Sequence, residues 1–199
     1  MSTGFSKVLG MPLTGDLRDA PCSHYSFLQA ERLYLREVRP DDANETYYRW
    51  MNDPVVTRFL ESRFAPHSRE SLRDYIEGRN NNHDSVFLAI VLKAGDRHIG
   101  NLKLEPIHWV HRSADLGILL GERDCWGKGY ATDAILLVTD YAFRVLNLRK
   151  LTAGSYAENT GSIKAFQKAG WIVEGSRKAQ LYSGGSYSDQ ILLAAFNQR

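Results

Sequence analysis

"GERDCWGKGYATDAILLVTDYAF", residues 121–143, sets two glycines around a lysine and then runs into a long apolar stretch. Its second half is read first. Ala131, Ile135, Val138, Ala142 and Val145 recur at helical spacing, with Asp133, Asp140 and Arg144 opposite them, so an amphipathic helix is expected from Gly129 onward. The first half is then a loop at a helix mouth. Successive backbone N–H groups at such a place form a concave anion site, glycines let a phosphate approach, and the helix dipole adds a favourable field. Glycines that only permit positive φ are the plainer alternative. Two common phosphate loops fail on spacing. A P-loop needs four residues between its first glycine and Gly-Lys, then Ser or Thr; here five residues separate Gly121 from Gly127, and Gly129 follows Lys128. The dinucleotide fingerprint wants a third glycine where Thr132 stands and an acidic residue about twenty positions on, which is missing after "NLRK".

Working outward, the period changes from 3.6 to 2. "RLYLREV" (32–38) alternates as a half-buried strand; a helix is expected within 39–54, after Pro40-Asp41-Asp42 and stopping before Asn52-Asp53-Pro54, and another across 68–80, where Leu72, Tyr75 and Ile76 form a stripe. Residues 85–92, 97–107 and 113–121 read as strands joined by tight turns. After the Gly129 helix come a strand at 149–156, a helix from Asn159 to Gly170, and an antiparallel pair around Ser183-Gly184-Gly185. The order predicts a mixed α/β sheet whose central crossover, 113–156, is parallel and right-handed.

The 199 residues suit a single domain, placed at 28–199 behind an amino-terminal arm at 1–27. With 43% apolar and 24% charged residues and a formal charge of +2, the chain matches a globular protein and gives no nucleic-acid or membrane signal. Cys22 and Cys125 make no CxxC and no disulfide framework, which fits a reducing, cytoplasmic location. No apolar run approaches the roughly 18 residues of a membrane span, and the first residues lack the pattern of a signal peptide. No metal spacing joins the histidines.

Three segments together carry a resemblance: "LGILLGERDCWGKGYATDA" (116–134), "NTGSIKAFQKAGW" (159–171), and "RLYLREV" leading to "WMNDPVV" (50–56). Through them the chain resembles the GNAT superfamily of acetyl-CoA-dependent N-acetyltransferases, most nearly its branch of ribosomal-protein N-terminal-alanine acetyltransferases, over about residues 30–196. The resemblance implies an α+β fold: a mixed, mostly antiparallel sheet with a central parallel βαβ crossover and helices on both faces. It implies acetyl-CoA as co-substrate, its pyrophosphate held by Trp126, Gly127, Lys128, Gly129, Tyr130, Ala131 and Thr132. The pantetheine arm would lie between splayed strands, beside Asn159, Ser162 and Phe166, with backbone N–H groups near Leu119 and Leu120 receiving the oxyanion. An aspartate beside the loop, Asp124, is unfavourable near a pyrophosphate unless it points away.

The implied reaction is direct attack of an amine on acetyl-CoA, so Cys125 is not expected to act as a nucleophile. Phe166 stands where many members use a tyrosine to meet the departing sulfur, and Ser162 takes that role by resemblance. For the base, Asp115 occupies a comparable place, with Glu105 as second choice; the last hairpin, "RKAQLYSGG", offers no carboxylate. A weak base suits an α-amine near 7.7–8.0 better than an aliphatic amine near 10.4, so the acceptor is expected to be a protein N-terminus or a nucleotide-linked amino sugar, a small-molecule or peptide amine. The arginines of 51–79, namely Arg58, Arg63, Arg69, Arg73 and Arg79, would suit a sugar-nucleotide phosphate if they converge, and His108 and His111 are candidates for the same cleft. A polyamine acceptor, a non-catalytic acyl-CoA-binding module and a homodimer are the remaining expectations.

Overall fold

A computed structural model describes residues 26–198. The expected arm at 1–27 thus lies outside the described residues except for its last two positions, where Phe27 already donates its N–H to Leu35 O at 2.7 Å. The elements run β1 (Leu28–Gln29), β2 (Leu33–Glu37), α1 (Glu45–Asn52), α2 (Arg69–Asn80), β3 (Val86–Leu92), β4 (Arg97–His108), β5 (Ser113–Leu120), α3 (Tyr130–Arg144), β6 (Lys150–Tyr156), α4 (Thr160–Lys168), β7 (Ile172–Ser183) and β8 (Ser186–Phe196). Apart from the short β1, this is the order the periodicities predict. Local chemistry sets the ends. Asn44 caps α1 through its side chain, Ser68 caps α2, and Asn159 Oδ1 accepts the Ser162 N–H to cap α4. One expectation at the end of α3 fails: the helix stops at Arg144, and Val145 is 68% exposed rather than part of the buried stripe.

The sheet order is β1-β2-β3-β4-β5-β6-β8-β7. Neighbours are antiparallel except β5 and β6, the parallel pair spanned by the α3 crossover. Because side chains alternate across a strand, two cores form. Leu35, Ile90, Leu104, Leu116 and Leu151 pack under α3 and α4 with Ile135, Val138 and Phe166. Tyr34, Phe87, Ala89 and Val91 pack on the other face under α1 and α2 with Trp50, Leu72 and Ile76. Among the described residues no helix is long and apolar enough to cross a membrane.

One departure from regular pairing positions everything that follows. β5 and β6 are in register only at Ser113/Lys150, Ala114/Leu151 and Asp115/Thr152, although β5 continues to Leu120 and β6 to Tyr156. Beyond those pairs the two strands separate into a gap in the middle of the sheet.

Candidate active site

The gap opens toward the loop of residues 121–129. Gly127 and Gly129 have φ of 74° and 85°, in the left-handed region where a Cβ is strained. Gly129 is the N-cap of α3 and brings no side-chain oxygen to the helix end. Asp133 is the first residue to bond back, to Gly129 O at 3.1 Å. Among the described residues no protein acceptor meets the N–H groups of Tyr130, Ala131 and Thr132. Three orphan donors at the positive end of a 15-residue helix suit an anion. Lys128 is exposed beside them.

Arg32, at the entry to β2, braces this loop, and nothing in the local sequence marks it. Its Nη1 donates to Lys128 O at 2.9 Å, its Nε and Nη2 to Asp133 Oδ2 at 3.0 and 2.7 Å, and its guanidinium lies 4.7 Å from the centre of the Tyr130 ring. Asp124 points to a different arginine. Arg97 grips it with Nη1 to Oδ2 at 2.8 Å and Nη2 to Oδ1 at 2.7 Å, and these bonds hold its carboxyl below the usual aspartate range. The concern that Asp124 opposes a phosphate is thus met by its own cation. Arg97 also bonds Glu122, whose Oε1 accepts from Trp50 Nε1 at 2.7 Å and Arg49 Nη2 at 2.6 Å. Burial alone would raise the Glu122 carboxyl, but the donors from Trp50 and Arg97 outweigh it and lower it. The loop is thereby tied to α1 as well as to β2 and β4.

Ladder geometry sorts the two leucines. Gly121 N–H bonds Ile99 O at 2.9 Å, and Asn101 is in register with Leu119, so 99/121 and 101/119 are the bonded pairs of the β4–β5 ladder. The amide of Leu119 is therefore turned to β4, contrary to its expected role, whereas Ile118 and Leu120 turn theirs to the gap. The Leu120 carbonyl accepts Trp126 Nε1 at 2.9 Å, which leaves its N–H facing the opening.

Across the gap, Ser162 is half-buried in the first turn of α4, and Thr132 Oγ1 reaches Ala165 O at 3.4 Å to join α3 to α4. Two residues near the loop belong to the core instead. Phe166 is 2% exposed and packs edge-on against Trp171 with ring centres 4.8 Å apart, so it presents no surface to a pantetheine arm, a correction to its expected cofactor contact. Cys125 is buried, and burial followed by the Asp124 charge pushes its thiol up, the reverse of what a nucleophile needs.

The α1/α2 side of the gap is the other approach. Ala114 and Leu116 point into the α3/α4 core, so alternation puts Asp115 and Gly117 on the α1/α2 face. Asp115 is exposed, and its one partner among the described residues is the hydroxyl of Thr152. Glu105, by contrast, is enclosed: Arg79 bonds it, Lys103 Nζ lies 3.0 Å away, and its side chain is 11% exposed, so it is no free base. The arginines do not converge on one spot. Arg69 pairs with Glu45, Arg73 with Asp41, and Arg79 with Glu105. His108 and His111 sit at the β4–β5 turn, the opposite end of β5 from the loop. The hairpin does bring a carboxylate, Asp189 of β8, but Lys178 neutralises it at 2.6 Å.

The residues fit a CoA-type group: open helix-end amides for a pyrophosphate, and a gap with an inward-facing N–H for an extended arm. Comparisons with known proteins agree. A model of the family described as "Acetyltransferase (GNAT) domain" matches residues 32–172. An N-acetyltransferase of Bacillus licheniformis named p20 and described as uncharacterized is 35% identical over 73% of this chain and 84% of its own. Spermidine N(1)-acetyltransferase of Escherichia coli K12 is 30% identical over 85% of this chain and 84% of its own. Among solved structures, the spermidine N-acetyltransferase of Vibrio cholerae in complex with CoA and spermine superposes with a TM-score of 0.74 at 22% identity, covering 84% of this chain and 96% of that one. With the splayed β5/β6 pair and the capless α3 mouth, these matches show that the chain belongs to the GNAT family of acetyltransferases, enzymes that use acetyl-CoA as co-substrate.

Proposed function

We propose that this enzyme acetylates the primary amine of a small aliphatic acceptor that enters over β5 from the α1/α2 side. The carrying observation is Asp115: a carboxylate at the vertex of the gap, bonded by a hydroxyl and by no cation among the described residues. An unneutralised carboxylate attracts an ammonium and accepts its proton. A nucleotide-linked sugar loses its support, because Arg69, Arg73 and Arg79 are committed to carboxylates. The relatives named for spermidine point the same way.

When bound, acetyl-CoA supplies an activated thioester acyl group. The protein's part is placement and charge. The N–H groups of Tyr130, Ala131 and Thr132 bind the phosphates, Arg32 holds their loop in shape, the Leu120 N–H donates to the arm, and the Ile118 N–H, nearer the vertex, donates where acyl oxygen charge develops. Asp115 takes the ammonium proton, and Ser162, whose backbone N–H is held by Asn159 Oδ1 at 3.3 Å, would relay the proton that the nitrogen loses on attack to the departing CoA sulfur. No cysteine step is involved.

Thiol release from acetyl-CoA, measured against alkylamines, polyamines, nucleotide-linked amino sugars and an N-terminal-alanine peptide, tests the reading. Turnover concentrated in the alkylamines and polyamines is expected. Preferential turnover of the peptide would replace the proposal with the ribosomal N-terminal-alanine branch, whose support here is the Asn159–Ser162 pair.

A further inference from the structure

Residues 53–68, which join α1 to α2, do not stay over the strands their helices cover. The helices lie over β3 and β4: Phe87 and Ala89 pack with Leu72 and Ile76, and Lys103 Nζ reaches Tyr75 OH at 3.0 Å. The connection instead lands on β6 and the far hairpin. Arg63 Nη1 donates to Tyr156 OH at 2.9 Å and to Leu60 O at 2.9 Å, while Nη2 donates to Tyr182 O at 2.6 Å. The Tyr156 hydroxyl donates to Glu61 Oε1 at 2.6 Å, and the Phe59 and Tyr156 rings lie 5.6 Å apart. To run from β3 and β4 to β6 and β7, the connection must cross β5, which lies between them in the sheet.

Tyr156 also shares a face with Asp115. Leu151 and Ala153 point into the α3/α4 core, so Thr152 and Tyr156 point to the α1/α2 side. The opening over β5 is therefore bounded at one end by Asp115 and Thr152 and at the other by the Arg63–Tyr156 tether. Four residue steps along β6, from Thr152 to Tyr156, separate these ends, about 13 Å at the usual strand rise. Burial and the Glu61 carboxylate raise the Tyr156 phenol, so it stays neutral and remains a donor to Glu61.

We propose that Arg63 and Tyr156 are specificity-determining residues of this enzyme: by fastening the α1–α2 connection across β5 they close the acceptor side to a window that admits small amines and excludes polypeptide N-termini. The proposal rests on acceptor entry from the α1/α2 side. Each residue acts through the connection it anchors, so both are positioning residues.

Steady-state kinetics of Tyr156→Phe and Arg63→Lys test it, with spermidine, an alkylamine and an alanine-terminated peptide as acceptors. Phe keeps the ring against Phe59 and removes both hydroxyl bonds, and Lys keeps the charge without the fork. The expected result is a KM for the small amines raised about tenfold, as for loss of a hydrogen bond to a charged group, an unchanged KM for acetyl-CoA, and a rise in peptide turnover relative to small-amine turnover. An unchanged peptide-to-amine ratio, or equal movement of both KM values, would overturn the proposal. Failure of the unaltered enzyme to use any small amine would instead remove the functional reading on which it stands. Melting temperatures of both variants show whether a loss reflects folding, and the ratio of acceptors, taken within one variant, is independent of the active fraction.

Discussion

Trp50 lies directly on the backbone of Gly121: a Cβ built at position 121 would fall 1.9 Å from Trp50 Cδ2 and 2.3 Å from Cγ. The residue that ends β5 is thus a glycine because an indole from α1 occupies its side-chain space. The same indole donates to Glu122, so a single contact joins the acceptor-side helix to the first residues of the phosphate loop.

Gly121→Ala is expected to force Trp50 out of place. Overpacking of a buried contact costs about 1–3 kcal/mol, and loss of the indole bond to Glu122 adds to it. Thermal unfolding together with CoA affinity measures the effect, and a variant with unaltered melting temperature would show that Trp50 has room to move.

Glu122 makes the protein sensitive to acid. Its folded-state carboxyl is lowered, so its contribution is fully present above the ordinary glutamate value of about 4.3 and is lost as pH falls through the lower folded value. Melting temperatures of the unaltered protein should therefore fall below that range, and Glu122→Gln should be less stable at neutral pH with a shallower acid decline. Parallel curves for the two proteins would place the acid sensitivity elsewhere.

Arg32→Ala should loosen the phosphate loop without unfolding the sheet. The ion pair with Asp133 is 44% and 26% exposed, so solvent screening limits its worth to about 1 kcal/mol, roughly fivefold in affinity. The KM for acetyl-CoA should rise by no more than that while the KM for the amine holds. Gly129→Ala should do more, since it adds positive-φ strain and brings a Cβ within 3.1 Å of Arg32 Nη2. Equal acetyl-CoA parameters in the Gly129→Ala protein would refute the loop reading.

Asp115→Asn removes the proton acceptor proposed at the vertex. General-base loss lowers turnover by about a hundredfold or more, and the dissociation constant for CoA should not change. Because the base takes its proton from the ammonium, the form that an aliphatic acceptor near 10.4 holds throughout pH 7 to 9, kcat/KM of the unaltered enzyme should stay level there, whereas the Asp115→Asn protein, which needs the free amine, should climb about tenfold per pH unit. A profile of the unaltered enzyme that bends near pH 8 would point instead to an α-amine acceptor.

Much of the fold was legible because periodicity is local. The change from 3.6 to 2 and back, the caps Asn44, Ser68 and Asn159, and the turn at Ser183-Gly184-Gly185 each depend on a few neighbouring residues. What was hidden depends on residues far apart in the chain. Arg32 meets Asp133 across a separation of 101 positions and Arg63 meets Tyr182 across 119. Nothing near either arginine announces its partner. Phe166 is expected beside the site because its neighbours in sequence line it; the direction of a side chain is decided by which face of the element turns inward, and Phe166 turns to the α3/α4 core, as Cys125 does. Leu119 and Leu120 differ for the same kind of reason, since only the register with β4 tells which amide is free.

The three-pair junction of β5 with β6 has a mechanical meaning. Among the described residues, five strands from the first part of the chain and three from the last share a sheet whose seam in mid-span is stitched at Ser113, Ala114 and Asp115 and left open above them. A ligand that lies in the opening with its own amides completes the seam, and anything that binds the native state alone raises its stability by RT ln(1 + [L]/Kd), about 2.7 kcal/mol at a hundredfold excess over Kd. With the co-substrate bound in that opening as proposed, it would act as a missing strand, and the resistance of this protein to heat and proteolysis would rise with acetyl-CoA concentration.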